Sequence, residues 1–201
     1  MSFTLGLTGS IGMGKSTVLN MFETAEIPIW SADAAVHELY SSNILVIDAI
    51  ADLIPGALSD AGLDRAVMRN AISNSPQLLK KIEKIVHPAV AAHREEFLTA
   101  HLNEAIVVLE IPLLFELGLE STVDAVIVVS TDADTQKKRV LARKTMSESE
   151  FDQILAKQVP DYEKRARADY IIESKTMGAA AKTVHEIVAS VLNKIKISGH
   201  A

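Results

Sequence analysis

Gly9, Gly12 and Gly14 run straight into Lys15, Ser16 and Thr17 in the stretch LGLTGSIGMGKSTVL, residues 5–19. The spacing satisfies G-x-x-x-x-G-K-[ST] at every specified position. Residues of these types at this spacing can hold a polyphosphate. Glycines let backbone N–H groups close around an anion where Cβ atoms would hold them away. A helix opening at Lys15 adds its unpaired N–H groups and the positive end of its dipole. Lys15 then reaches the β- and γ-phosphates of a nucleoside triphosphate, and the Ser16 hydroxyl ligates Mg²⁺. Thr17 caps an N–H or touches the α-phosphate, and Met13 contributes from inside the loop. The competing reading is a glycine-rich turn with a solvated lysine. A full match between a strand and a helix leaves that reading little room.

Two further sets of residues bear on what is done with the nucleotide. Asp33, in WSADAAVHEL, follows the second predicted strand. A carboxylate there can take a proton from an attacking hydroxyl or hold Mg²⁺ through water. It can equally be a helix cap, as can Ser31, and the residues alone leave both readings open. KKRVLARK, residues 137–144, places Arg139 and Arg143 four apart on one helix face. These two arginines suit a lid that closes over a triphosphate, neutralising charge and excluding water. Lys137, Lys138 and Lys144 read as a solvated face. EKRARADY, residues 163–170, adds Lys164, Arg165 and Arg167 to the cationic density.

These residues need a scaffold, and the apolar pattern supplies one. Strand-like runs occur at 3–8, 27–30, 105–111, 125–130 and 170–174, the last three with continuous Ile/Val cores. Helical patterns fall at 15–25, 34–54, 64–73, 77–103, 133–144 and 179–195. The alternation predicts βαβ units, an α/β P-loop three-layer fold with a parallel five-stranded sheet. Its ligand edge then lies at the strand C-termini. Residues 1–33, 104–132 and 169–201 form the predicted nucleotide-binding core. Residues 34–103 form a helical substrate lobe, broken near Pro55-Gly56, Ser75-Pro76 and His87-Pro88. Residues 133–168 form a helical lid. The tail KIKISGHA is expected to fray.

Composition narrows the classes. The chain has 201 residues, 48% hydrophobic and 23% charged, as an ordinary globular protein has. A net charge of −6 speaks against a general nucleic-acid binder. No cysteine is present, so disulfides and thiolate metal sites are excluded. No apolar run is long enough to span a membrane, and no basic leader precedes the first one, so a cytoplasmic protein is expected. A GTP switch would carry N-K-x-D late in the chain, but Asn193-Lys194 is followed by Ile195-Lys196. A motor ATPase would need an acid ending a buried strand, which Glu110 in VVLE could supply. Asp33 and the arginines favour a kinase.

LTGSIGMGKSTV, ADAAVHEL, VHPAV, EIPLLFE and EKRARADYII occur in an order that resembles the dephospho-CoA kinase family, from about Leu5 to Ile172. The resemblance implies transfer of the ATP γ-phosphate to the ribose 3′-hydroxyl of dephospho-CoA, with Mg²⁺. It implies that Gly9 to Thr17 bind ATP, that Asp33 is the catalytic acid, and that Arg139 and Arg143 are lid arginines. His87 then lies near the substrate, Leu113 and Leu114 form a turn beside the acceptor nucleotide, and Arg65 meets substrate phosphate or solvent. The chain departs from the family pattern at Ser31, where an aspartate is common, and at Ser10, Met13 and Ser174, the last in place of a frequent asparagine. Nothing in the sequence specifies an oligomeric state.

Overall fold

The computed structural model describes residues 2–197. In chain order the elements are β1 (Phe3–Thr8), α1 (Lys15–Thr24), β2 (Ile29–Ser31), α2 (Ala32–Ser42), α3 (Ile44–Leu53), β3 (Leu58–Ser59), β4 (Gly62–Leu63), α4 (Arg65–Asn74) and α5 (Pro76–Ala100). They continue with β5 (Ile106–Glu110), β6 (Ala125–Ser130), α6 (Ala133–Ala142), α7 (Glu148–Leu155), α8 (Asp161–Ala166), β7 (Tyr170–Glu173) and α9 (Met177–Ile197). Short 3₁₀ turns cover Pro55–Ala57 and Glu120–Thr122.

The chain divides into two compact units, one up to Trp30 and from His101 onward, the other Ser31–Ala100. The first is built on a five-stranded parallel sheet of order β2-β5-β1-β6-β7. β1 lies at its centre, with Leu7 in register with Glu110 on one side and Ile127 on the other. Every residue of β5 and β6 is buried, which is why these two strands show no polar alternation. Leu5 and Leu7 of β1 point to the face where Val18, Leu19 and Phe22 of α1 pack with Ala180, Val184, Ile187 and Val191 of α9. Burying each large apolar side chain there contributes about 1.5–3 kcal/mol. Gly6 points to the opposite face, where Leu114 and Val123 close over its bare Cα. Helix α8 contacts β6. Ser130 of β6 donates from Oγ to Asp161 Oδ2 of α8 at 2.6 Å.

The second unit has its own core of Val46, Ile47, Ile50, Ile54, Ala57, Leu63, Met68, Ile82 and Val86. The predicted helix 34–54 is two helices, because the Asn43 side chain accepts from Val46 N–H at 3.1 Å and starts α3 afresh. Asp64 caps α4 through Ala66 and Val67 N–H. The β3–β4 hairpin, at two residues per strand, has no counterpart among the predicted elements. The predicted break at His87-Pro88 does not occur, and α5 passes through Pro88. Pro88 and Lys84, whose carbonyl it leaves without a helical donor, are both exposed, while Ile82 and Val86 hold the preceding turns in the core.

Between 133 and 168 the helical pattern resolves into α6, α7 and α8, with α7 opened by a capping box of Ser147 and Glu150. Helix α9 continues through Lys194–Ile197, so the fraying expected of the tail does not begin there. The remainder of that tail, 198–201, lies outside the described residues.

Candidate active site

The loop between β1 and α1 takes its shape from positions where a side chain cannot stand. Gly9 has φ +150°, and a Cβ there would lie 2.5 Å from the Val129 carbonyl oxygen of β6. Gly12 has φ +78°, and a Cβ there would lie 2.6 Å from Val140 Cγ2 of α6. Gly14 is the N-cap of α1 with φ +92°, and no side chain caps the helix. The amide end of α1 therefore stays open, as an anion site requires. Lys15 donates from Nζ to Gly9 O at 2.8 Å, which brings the ammonium back across the loop it follows. Ser16 and Thr17, in the first turn, are exposed.

Side chains from later in the chain grip this loop from outside. Gln136 of α6 donates to Ile11 O at 2.7 Å, and Gln158, between α7 and α8, accepts from Ile11 N–H at 3.0 Å. The Met13 side chain is buried in the sheet core, and its sulfur accepts from Thr131 N–H at 3.2 Å. The Met13 side chain is thus turned into the core, contrary to a direct side-chain contact with nucleotide, and the Met13 N–H donates to Ser10 O at 3.2 Å. Its carbonyl is held by Ser174, just beyond β7, whose Oγ donates to Met13 O at 2.6 Å. Arg139 of α6 donates to Ser174 from both ends of its guanidinium, Nη1 to Oγ at 2.8 Å and Nη2 to the carbonyl at 2.6 Å.

The structure therefore brings Arg139 to the loop. Arg143, the C-cap residue of α6, is exposed, and its guanidinium meets no partner among the described residues. Lys137 is not simply solvated, since it pairs with Glu148 of α7. The second cationic run is paired across the fold with acids. Lys164 is fully buried with Nζ 2.8 Å from Glu116 Oε1. Arg165 pairs with Glu173 at 2.6 Å. Arg167 pairs with Glu120 and lies 4.5 Å from the centroid of the Phe115 ring. Burial pushes the Glu116 carboxyl up, but the Lys164 ammonium and the Val159 N–H outweigh it and hold its pKa below the ordinary value.

The turn after β5 separates its two leucines. Leu113 is 41% exposed, whereas Leu114 is fully buried against Gly6 and supports the turn from beneath. The turn is tied to β1 by Thr8 Oγ1, which donates to Pro112 O at 3.2 Å. Glu110, ending β5, is a buried acid in register with the last leucine before the glycine loop.

In the second unit, Ser31 is the N-cap of α2, its Oγ accepting from Ala34 N–H at 3.4 Å. Asp33 sits in the first turn, exposed, and its carboxylate has no partner among the described residues. The cap is therefore made by Ser31 and not by Asp33. His87 is exposed in the interior of α5 rather than at a helix end. Arg65 is the exposed first residue of α4. Burial raises the Tyr40 hydroxyl pKa, and the Arg65 charge opposes that rise.

No group of three or more His, Asp or Glu among the described residues could hold a metal ion by itself. Gln136, Gln158 and Ser174 carry no motif, and sequence spacing does not find them. Ser174 is marked in the sequence only as a departure from the resembling family.

A glycine loop from the central strand into an open helix, on a five-stranded parallel sheet, defines an α/β protein of the P-loop kinase class. The sequence matches the family model described as dephospho-CoA kinase over residues 3–179. A dephospho-CoA kinase of Jannaschia sp. is 48% identical over 191 residues, covering 95% of this chain and 98% of that relative. A crystal structure from Thermus thermophilus has a TM-score of 0.82 at 30% identity, covering 94% of this chain and 97% of the other. A dephospho-CoA kinase from Campylobacter jejuni has a TM-score of 0.71 at 25% identity, with coverage of 95% and 98%. This chain belongs to the dephospho-CoA kinase family. It is a nucleotide-using kinase, and none of its described helices is long and apolar enough to cross a membrane.

Proposed function

We propose that this chain transfers the γ-phosphoryl group of ATP to the ribose 3′-hydroxyl of dephospho-CoA, the closing step of coenzyme A synthesis. The observation that carries the acceptor is the near full-length match, in both directions, to kinases named for that substrate. The loop Gly9–Thr17 cradles the triphosphate with backbone amides, and Lys15 neutralises charge on the β- and γ-phosphates. Ser16 would hold Mg²⁺, which would supply further charge neutralisation when bound.

Asp33 takes the 3′-hydroxyl proton as that oxygen bonds to the γ-phosphorus. The bond from phosphorus to the β-γ bridging oxygen breaks in line, and ADP leaves. A free, exposed carboxylate whose helix is already capped by its neighbour supports this role. Arg139 and Arg143 are the cations that the lid segment 133–168 brings to the triphosphate, Arg139 being pinned against the loop in this structure. The helical unit carries His87 and Arg65 as acceptor contacts, and the exposed Leu113 meets the acceptor nucleotide over a turn that Leu114 supports.

A coupled ADP-release assay tests this function. ADP formation that requires dephospho-CoA, and that nucleoside monophosphates do not elicit, is the expected result. Comparable turnover with a nucleoside monophosphate would assign a different acceptor. Acceptor-independent hydrolysis alone would make the chain a nucleotide-dependent regulator.

A further inference from the structure

Ser174 belongs to neither the glycine loop nor a basic run, yet four hydrogen bonds converge on it. Its N–H donates to Ser130 O at 2.8 Å, anchoring the residue to the end of β6. Its hydroxyl has a single proton, and that proton goes to Met13 O at 2.6 Å. Toward Arg139 Nη1 the same oxygen can only accept, at 2.8 Å, while its backbone carbonyl accepts from Nη2 at 2.6 Å.

Two consequences follow from elementary geometry. No described peptide is cis, and in a trans peptide the C=O and the following N–H point to opposite sides. Drawing the Met13 carbonyl toward Ser174 therefore turns the Gly14 N–H away from Ser174. The Arg139 guanidinium, for its part, is fixed beside the start of α1. A Cβ on Gly14 would lie 3.3 Å from Ser174 Oγ and 3.4 Å from Arg139 Nη1. A cation at the amino end of a helix opposes the dipole there, and Lys15 stands on the same turn. Holding an arginine in that place needs anchors, and the arrangement is relieved when an anion enters.

We propose that Ser174 is a positioning residue for nucleotide binding, its one hydroxyl setting both the Met13–Gly14 peptide and the Arg139 guanidinium. The inference rests on the loop being the nucleotide site. It acts through Gly14 and Arg139, and Ser174 itself touches no reacting atom.

Calorimetric titration of the full-length chain with Mg-ADP tests it, using Ser174→Ala, Ser174→Cys, Arg139→Ala and the Ser174→Ala/Arg139→Ala double variant. Loss of a charge-assisted hydrogen bond and its neighbour predicts about tenfold weaker binding for Ser174→Ala. Ser174→Cys fills the same space with a weak donor and acceptor, and is expected to weaken binding to a similar degree. Both should keep the wild-type unfolding midpoint, and the double variant should lose less than the product of the two single losses. Wild-type affinity in Ser174→Ala overturns the proposal. So does wild-type affinity in Ser174→Cys alongside a weakened Ser174→Ala, which would make the residue a space filler. Independent, multiplying losses would also overturn it. A wild-type chain that binds Mg-ADP but leaves dephospho-CoA unphosphorylated would sink the proposed acceptor and leave this test standing.

Discussion

Lys164 of α8 lies with its ammonium 2.8 Å from the Glu116 carboxylate, in the turn beyond β5, and has no exposed surface. The contact joins IPLLFE to EKRARADY, two stretches nearly fifty residues apart. It fixes α8 against the sheet, and Asp161 of the same helix receives the Ser130 hydroxyl. Burying two charges is expensive, and their attraction roughly offsets that cost only while both are present.

Removing one partner should therefore cost more than removing both. For Lys164→Met we expect about 3–5 kcal/mol of lost stability in urea unfolding, because Glu116 stays buried and uncompensated. Lys164→Met combined with Glu116→Leu should regain much of that loss. Equal losses in the single and double variants would mean that the pair is not the source.

The same pair sets an acid limit. Glu116 titrates below its ordinary 4.5 in the folded chain, so the unfolded chain binds the proton more readily. Its contribution is complete above about pH 4.5 and is lost as pH falls through the lowered value. Glu116→Gln should be less stable at neutral pH and show a shallower fall in unfolding midpoint below pH 4.5. An unchanged slope would remove Glu116 from the acid transition.

Asp33→Asn should reduce kcat by about 10²–10⁴, the usual range for loss of a general base, while the KM for ATP stays within about twofold. The unfolding midpoint should hold, because Ser31 makes the cap. Ser31→Ala should show the converse, a stability loss of about 1 kcal/mol from the missing cap. Full turnover in Asp33→Asn would return the carboxylate to a surface role.

Two glycines separate steric from conformational constraint. Gly118 has φ +65°, and a Cβ there would meet nothing within 4 Å, so Gly118→Ala should cost only about 1 kcal/mol of backbone strain. Gly9→Ala drives a methyl against a β6 carbonyl that cannot move aside. It should cost clearly more and abolish nucleotide binding, as measured by unfolding midpoint and Mg-ADP titration.

Much of the sheet-bearing unit is readable in one dimension. The glycine loop announces itself because each glycine answers a local need, and buried Ile/Val runs mark β5 and β6. What spacing does not show is partnership across the fold. Lys164 and Arg167 sit in one basic run with Arg165, yet one is wholly interior, another rests on Phe115, and the third meets Glu173. Charge density along a chain says nothing about which acids fold opposite it. Pro88 misleads for a related reason. A proline ends a helix when the lost bond is uncompensated, and here the surrounding turns are held by Ile82 and Val86. The β3–β4 hairpin leaves too short a pattern to find, whereas Gly62, at φ +101°, seats it against Tyr40.

Strand β2 ends at Ser31 and α2 begins at Ala32, so no linker intervenes ahead of Asp33. The carboxylate is mounted directly on that junction, and its azimuth about the helix is dictated by residue count alone. Adding a single alanine after Ser31 would swing it through about 100° around the helix axis. The role proposed for Asp33 therefore makes that junction intolerant of even one inserted residue.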